Sequence, residues 1–269
     1  MKIPITMCHG VERKPSEKFP LPKEHFERLM KIVHEMGFQS INYDQLAAWR
    51  AGTGALPARP IMLDFDHPVI TMRCEVFETL SRYGFKGNLF VNTGMMEKLY
   101  SASLPPKDQR EIMTWEELGE LVAAGWHIGA HTHTHPHLSK LSLEDPTGEK
   151  IRAELVKNNE WLQKHLGVTP KDFAFTGTSW SSAAEREVMK LYRCGRLWIV
   201  GSEYQADGKA IRYADLVGVP GPDEADGGPP MAARYITKET PPYRLPSMEI
   251  QRLIHKPDAF HRYLAGALD

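Results

Sequence analysis

This chain predicts an α/β fold: one βα domain over residues 1–269, its strands mostly parallel and closing into a distorted (β/α) barrel. Three observations carry that expectation. Short apolar runs alternate with segments whose apolar residues recur at helical spacing, the pattern of repeated βα units. Capping residues mark helix starts between the two kinds of segment. Residues able to bind metal or move protons follow several of the apolar runs, where a parallel barrel gathers its active site, and this favours closure over an open sheet.

Residues 3–8 are the first apolar run. A Pro/Lys-rich loop follows, and then residues 22–36, where Phe26, Leu29, Met30, Ile32 and Val33 share a helical period. A short helix is expected over 43–51, after which Pro57 and Pro60 break the chain before a buried strand at 61–65. Next come a helix over 71–83, a strand at 87–91 and a helix opening at Thr114, which with Glu117 has the spacing of a capping box. A strand at 126–130, a long amphipathic helix over 148–166 and a strand at 173–175 continue the series. Ser182 and Glu185 suggest a second capping box before a helix ending near Tyr192, ahead of a strand at 197–201. Beyond Glu203 the composition changes. The stretch G-V-P-G-P-D-E-A-D-G-G-P-P at 218–230 cannot hold a regular element, which leaves residues 203–233 to cover a site or to form a subunit contact. Order returns at 234–237, at 248–250 and in a closing helix after Pro257.

Composition excludes more than it assigns. The 33 basic and 34 acidic side chains leave a net charge of −1, so no global field points to nucleic acid or an anionic membrane. Cys8, Cys74 and Cys194 are far apart and form no CxxC, which argues for reduced thiols rather than disulfides or a thiolate zinc site. The N-terminus lacks the apolar core of a signal peptide, and no segment has the roughly 18 apolar residues of a spanning helix, so a cytoplasmic location is expected. Oligomeric state stays open, a homo-oligomer included.

The first chemical signal is I-M-L-D-F-D-H-P at 61–68. Asp64, Asp66 and His67 stand at the C-terminal end of an apolar strand, the end from which α/β barrels build active sites. Alone the stretch is weak, because an aspartate there often caps the next helix or binds loop amides. Asp64 and Asp66 share a side of an extended strand, whereas His67 points the other way unless the backbone turns, and Pro68 is consistent with a turn. The second signal is W-H-I-G-A-H-T-H-T-H-P-H-L at 126–138, with five imidazoles in the eleven residues 127–137. Core strands do not have that composition. His131 and His135, four apart, are expected on one face of a helical turn, from which both reach one ion at about 2.0 to 2.1 Å. Surface histidines or adventitious metal binding are the competing reading, and His133 and His137 are expected to face away or to orient the ligands.

Together these stretches resemble the polysaccharide deacetylase or NodB-homology family, carbohydrate esterase family 4, in which a strand ends in T-F-D-D-G and a later loop carries two metal-binding histidines four apart. The opening I-T-M-C-H-G-V resembles the first strand of many members, and a weaker likeness runs through F-A-F-T-G at 173–177 and R-L-P-S-M-E-I at 244–250. The resemblance implies a single NodB-homology domain over 1–269 and a barrel of that type. It also implies Asp66 as catalytic base and His131 and His135 as metal ligands, with His67 standing where the family has its ligand aspartate. Three imidazoles suit zinc, the first expectation, and also nickel, cobalt or iron. Histidine for aspartate removes a negative charge and is expected to acidify ligated water more strongly. Asp64 replaces the usual threonine and is expected either to bond a ligand histidine or to restore that charge by contacting metal or substrate. The third family motif is poorly kept, Thr176 and Gly177 standing for its Pro and Tyr. The N–H of Gly177 is a candidate oxyanion donor, and Trp180 is a candidate substrate wall or a core residue. For the general acid, His255 in L-I-H at 253–255 and His9 at the tip of the first strand are rivals.

These readings point to a metal-dependent hydrolase that removes an N-acetyl, N-formyl or O-acetyl group from a carbohydrate or small amide, with ion-activated water and Asp66 as base. An alternative within hydrolysis is a cyclic amide or imide, or another small-molecule C–N bond, favoured by the missing signal peptide and the altered motifs. The third alternative is a non-catalytic binding relative that has lost its base or its metal.

Overall fold

A computed structural model of the chain describes residues 1–12, 21–101, 106 and 109–269. The Pro/Lys-rich loop after the first strand falls largely outside the described residues. Among the described residues the strands are β1 (Ile3–Cys8), β2 (Gln39–Ser40), β3 (Pro60–Asp66), β4 (Asn88–Val91), β5 (His127–Ala130), β6 (Asp172–Ala174), β7 (Ser179–Trp180), β8 (Cys194–Ile199), β9 (Glu203–Ala206), β10 (Lys209–Arg212), β11 (Tyr235–Ile236) and β12 (Leu245–Glu249). The α-helices are α1 (Lys23–Glu35), α2 (Tyr43–Ala51), α3 (Phe77–Arg82), α4 (Thr93–Ser101), α5 (Trp115–Ala123), α6 (Leu138–Glu144), α7 (Glu149–Leu166), α8 (Ser182–Leu191), α9 (Tyr213–Leu216) and α10 (Pro257–Ala265).

Seven strands pair in parallel in the order β1–β3–β4–β5–β6–β8–β12, and β12 returns to β1. The predicted parallel barrel is therefore closed. Its sheet is extended by β2 beside β3 and by β11, which runs antiparallel to β1, while β7, β9 and β10 form a separate small sheet.

Period-two alternation divides each barrel strand between two cores. Leu63, Phe65, Leu89 and Val91 face outward and pack with helix residues such as Phe26 and Leu29. The opposite set, Ile3, Ile5, Met62, Phe90 and Leu245, fills the barrel and is closed off by Tyr43 of α2. Gly129 permits this packing, because a Cβ there would stand 2.4 Å from the Phe90 ring. The same inward alternation also brings Asp64, Asn88, Arg196, Ser247, Asp66 and Glu249 into the barrel, all buried. A fully buried Leu or Phe stabilises by about 1.5–3 kcal/mol, so these polar positions forgo stability that apolar ones would supply.

Local signals explain most of the helices. Asn42 with Gln45 and Thr114 with Glu117 form reciprocal capping boxes at α2 and α5. Elsewhere the expectation needs correction. Ser181, not Ser182, caps α8 by accepting from the Ala184 N–H at 3.0 Å, and Glu185 bonds Trp180 and Arg244 instead of closing a box. The helix read over 71–83 begins as a π-helical stretch, Met72–Val76, a widened turn that apolar periodicity does not register. Within 203–233 the segment is not all loop: β9 and β10 form a hairpin turning at Asp207-Gly208, both at positive φ, and α9 follows. Residues 218–230 hold no regular element, as read. All three cysteines are free, and among the described residues no helix is long and apolar enough to cross a membrane.

Candidate metal centre and active site

The mouth of the barrel is assembled from the ends of β1, β3, β5, β8 and β12. At β3 the extended backbone carries Asp64 and Asp66 inward and then reverses at His67, whose φ is 66°. That left-handed residue answers the geometric problem posed by D-F-D-H-P, because it swings the imidazole back over the barrel. His131 follows β5 directly, and its loop turns through Thr132 and His135, with φ of 62° and 63°. The pair is thus carried by a strained loop, not by the helical turn expected from the spacing. Three of the four described non-glycine residues at positive φ sit at this one place, and such strain persists only where surrounding bonds enforce it. Thr132 Oγ1 accepts from the His135 N–H at 3.1 Å, and Glu154 accepts from the N–H groups of His133 and Thr134 at 3.0 and 2.7 Å and from the Thr134 hydroxyl at 2.7 Å.

His67, His131 and His135 each offer one ring nitrogen, and these atoms all lie within 4.8 Å of one another. Hydrogen bonds fix two of the rings. His131 Nδ1 lies 2.9 Å from the Ala174 carbonyl, so it carries the hydrogen and Nε2 presents its lone pair; His67 Nδ1 lies 2.8 Å from Asn92 Oδ1 in the same way. Burial, then the neighbouring His135 and His67, hold His131 well below the ordinary imidazole range, and burial with His9 lowers His135. Both shifts favour the neutral form, which offers a lone pair. A compact set of three imidazoles facing an open cavity fits a divalent cation.

Asp66 lies beside this cluster, Oδ2 being 3.7 Å from His131 Nε2. Its Oδ1 accepts from Nη2 of Arg196, a wholly buried arginine of β8. On the other flank stands His9, just past β1. Its ring stacks on His67 at 5.4 Å and meets the edge of Trp198 at 4.9 Å, and its Nδ1 lies 3.3 Å from Gln251 Oε1 and 3.5 Å from Glu249 Oε2. Glu249 is buried and accepts from Trp198 Nε1 at 2.5 Å and the Gln251 N–H at 3.0 Å. A cavity of about 410 Å³ opens over His9, His67 and His135, with Val69, Met95 and Ile112 giving it an apolar side.

The family model described as polysaccharide deacetylase matches residues 53–192. The chain belongs to the polysaccharide deacetylase family. That match contains Asp66 and all three clustered histidines. YxkH of Bacillus subtilis (strain 168), named for the same family, is 23% identical over 163 residues, which are 61% of this chain and 54% of YxkH. The chain thus spans about half the length of that curated relative. Among solved structures, the deacetylase PplD of Streptococcus pyogenes, in complex with acetate, superposes with a TM-score of 0.71 at 16% identity over 98% of both chains. IcaB from Ammonifex degensii gives 0.65 at 13% identity over 100% of this chain and 97% of its own. At such identities the likeness is one of fold, and the fold is the NodB-type barrel.

Other residues singled out from the sequence lie away from the cavity. Asp64 bonds no ligand histidine; it accepts from Tyr43 Oη at 2.6 Å and Asn88 Nδ2 at 3.0 Å, and lies 3.5 Å from Arg196 Nε. Gly177 does not line the cavity, and its carbonyl accepts from Tyr204 Oη at 3.2 Å. Trp180 is buried away from it, donating to Glu185 at 2.7 Å under the Arg244 guanidinium. His255 also stays outside, its Nδ1 bonded to the Arg252 carbonyl at 2.6 Å, which leaves His9 as the imidazole near the cluster. His133 is buried between Thr93 and Glu97, and His137 caps α6. No residue of 203–233 lines the cavity. Sequence reasoning passed over Arg196, Trp198, Glu249 and Gln251. For Arg196 and Glu249 a signal exists: a charge alone inside an apolar strand is costly and calls for a partner.

Proposed function

We propose that the chain is a metal-dependent deacetylase acting on carbohydrate, removing an N-acetyl group or the related N-formyl or O-acetyl group. The observation that carries this reading is the triad His67, His131 and His135 around one point at the barrel mouth, with the Asp66 carboxylate against it. His67, His131 and His135 would hold a divalent cation, zinc in the first instance, which would supply Lewis-acid polarisation of an acyl carbonyl and acidify water. Asp66 Oδ2 then accepts the proton of the attacking water, while Arg196 retains Oδ1. His9, oriented by Gln251 and Glu249, donates a proton to the departing amine or alcohol. Val69, Met95, Ile112 and Trp198 give the cavity an apolar side suited to the acyl methyl.

Elemental analysis and turnover test this together. The purified protein is expected to hold about one ion per chain and to release acetate from an N-acetylglucosamine tetramer. Asp66→Asn should lower turnover by about 10³-fold, within the range for loss of a general base, while keeping the ion. A variant that keeps turnover removes Asp66 from its role, and a chain that binds no ion removes the hydrolase reading in favour of a binding relative. Turnover of a cyclic imide in place of the sugar would move the substrate class to small ring amides.

A further inference from the structure

We infer that Asp64 is a positioning residue for Asp66, acting through Arg196; this rests on the reading of Asp66 as the base. Asp64 and Asp66 are two apart on β3 and both face the barrel interior, and Arg196 reaches them from β8 on the far wall. Its Nη2 donates to Asp66 Oδ1, its Nε lies 3.5 Å from Asp64 Oδ2, and its guanidinium lies over the Phe90 ring at 4.7 Å. Arg196 is wholly buried, and its Nε and Nη1 have no hydrogen-bond partner. A guanidinium held by one carboxylate at one edge can pivot about that contact. A second carboxylate beside Nε, the neighbouring nitrogen of the same edge, stops the pivot, and Asp64 is that group. Asp64 is itself fixed from the closed end of the barrel, by Tyr43 Oη at 2.6 Å and Asn88 Nδ2 at 3.0 Å.

A line of support thus runs from α2 through Tyr43, Asp64 and Arg196 to the barrel mouth. Its effect falls on the two oxygens of Asp66. With Oδ1 held by Arg196, Oδ2 is the oxygen presented to the imidazoles, 3.7 Å from His131 Nε2. Burying two carboxylates and a guanidinium here is expensive compared with apolar filling of similar volume. The same strands place Met62, Phe90 and Leu245 at other inward positions of the barrel, so apolar filling was available. The expected role as a bond to a ligand histidine is replaced by an indirect one: Asp64 orients the base.

The test is Asp64→Asn in the full chain, assayed with the N-acetylglucosamine tetramer and with a fluorogenic acetyl ester. A base displaced by about 1 Å costs on the order of 10²-fold, so kcat is expected to fall about 10- to 100-fold with KM within about twofold and the ion retained. Because Asp64 acts through Arg196, Asp64→Asn should change kcat by less than about twofold in an Arg196→Met background, the mark of coupled sites. Tyr43→Phe removes one hydroxyl and keeps the ring, and should give a loss of roughly threefold to tenfold, in line with one hydrogen bond; it carries the test if Asp64→Asn does not fold. A crystal structure of whichever variant folds should show the Asp66 carboxylate turned from His131. The inference is overturned by wild-type kcat in the folded variant, by the full Asp64→Asn loss on top of Arg196→Met, or by an unmoved Asp66. Asp66→Asn separates this failure from that of the function: if it abolishes turnover while Asp64→Asn does not, the base stands and the positioning role falls. If Asp66→Asn keeps turnover, both fall.

Discussion

Asp64 of β3 and Asp172 of β6 are two buried aspartates of one barrel, each meeting an arginine, and they end in opposite states. Asp172 is saturated: Arg193 donates to both its oxygens at 2.8 Å, Cys194 Sγ lies at 3.0 Å, and His127 Nε2 at 2.9 Å. Burial pushes its carboxyl up, yet the His127 ring beside it and the bonds from Arg193 outweigh burial and leave it below the ordinary range. For Asp64 burial wins over Arg196, Tyr43 and Asn88, and the carboxyl is pushed up to about 6. The difference lies in the arginines. Arg193 is 29% exposed and adds a 2.7 Å contact to Asp44, so it stays near water, whereas Arg196 is 0% exposed and divides itself between Asp64 and Asp66. A saturated pair secures a strand end. On the proposed reading, an arginine stretched between two carboxylates holds the base in place at a cost in stability, the exchange expected at functional sites.

Swapping the arginines should break the comparison most sharply. Arg196→Met is expected to lower kcat by about 10²- to 10³-fold, the scale for losing a preorganised charged group, with the ion still bound. Arg193→Met should leave kcat within about threefold and lower the thermal midpoint, which paired assays and calorimetry read directly. Equal kcat losses would show that the two clusters do not differ in kind. Asp172→Asn follows in size. Breaking a buried pair costs about 3–5 kcal/mol, and the partial exposure of Arg193 puts this case at about 3 kcal/mol or less, seen in urea unfolding with activity per folded molecule retained.

The outer layer of this contrast was legible in the sequence and the inner one was not. Alternating apolar runs and helical periods foretold the barrel, and the histidine density at 127–137 drew attention to two of the three clustered histidines, His131 and His135, because both are local patterns. The conformation of the histidine loop was not legible, since Thr132 and His135 are held at positive φ by bonds from α7 and from within the loop, which residue spacing does not encode. Arg196 and Tyr43 escaped notice for a related reason: they lie 130 and 23 residues from Asp66 and join it only through barrel closure. Trp180 and Gly177 were chosen by likeness to a motif that this chain scarcely keeps, and the hairpin of β9 and β10 pairs with β7 to draw them away from the cavity.

The smallest expected effect is the most discriminating, because pH should move the two aspartates in opposite directions. Asp64 has its folded pKa raised from 3.8 to about 6, so between those values the native state binds the proton more tightly than the unfolded chain. Stability is then lost as pH rises through that window. Asp64 faces Tyr43, Asn88, Arg196, His127 and, through Arg196, Asp66, so its own share is read as the difference between wild type and Asp64→Asn. Asp172 has its folded pKa lowered, so its contribution is complete above the ordinary carboxylate pKa and is lost as pH falls through the folded value. Urea unfolding at pH 3, 4, 5, 6 and 7 therefore gives a signed result. Relative to Asp64→Asn the wild type should weaken as pH rises from 4 to 6, and relative to Asp172→Asn it should hold steady there and weaken only below about 4. Parallel curves for wild type and Asp64→Asn would mean that Arg196 satisfies Asp64 as fully as Arg193 satisfies Asp172, and the distinction between a structural pair and a positioning pair would no longer rest on charge.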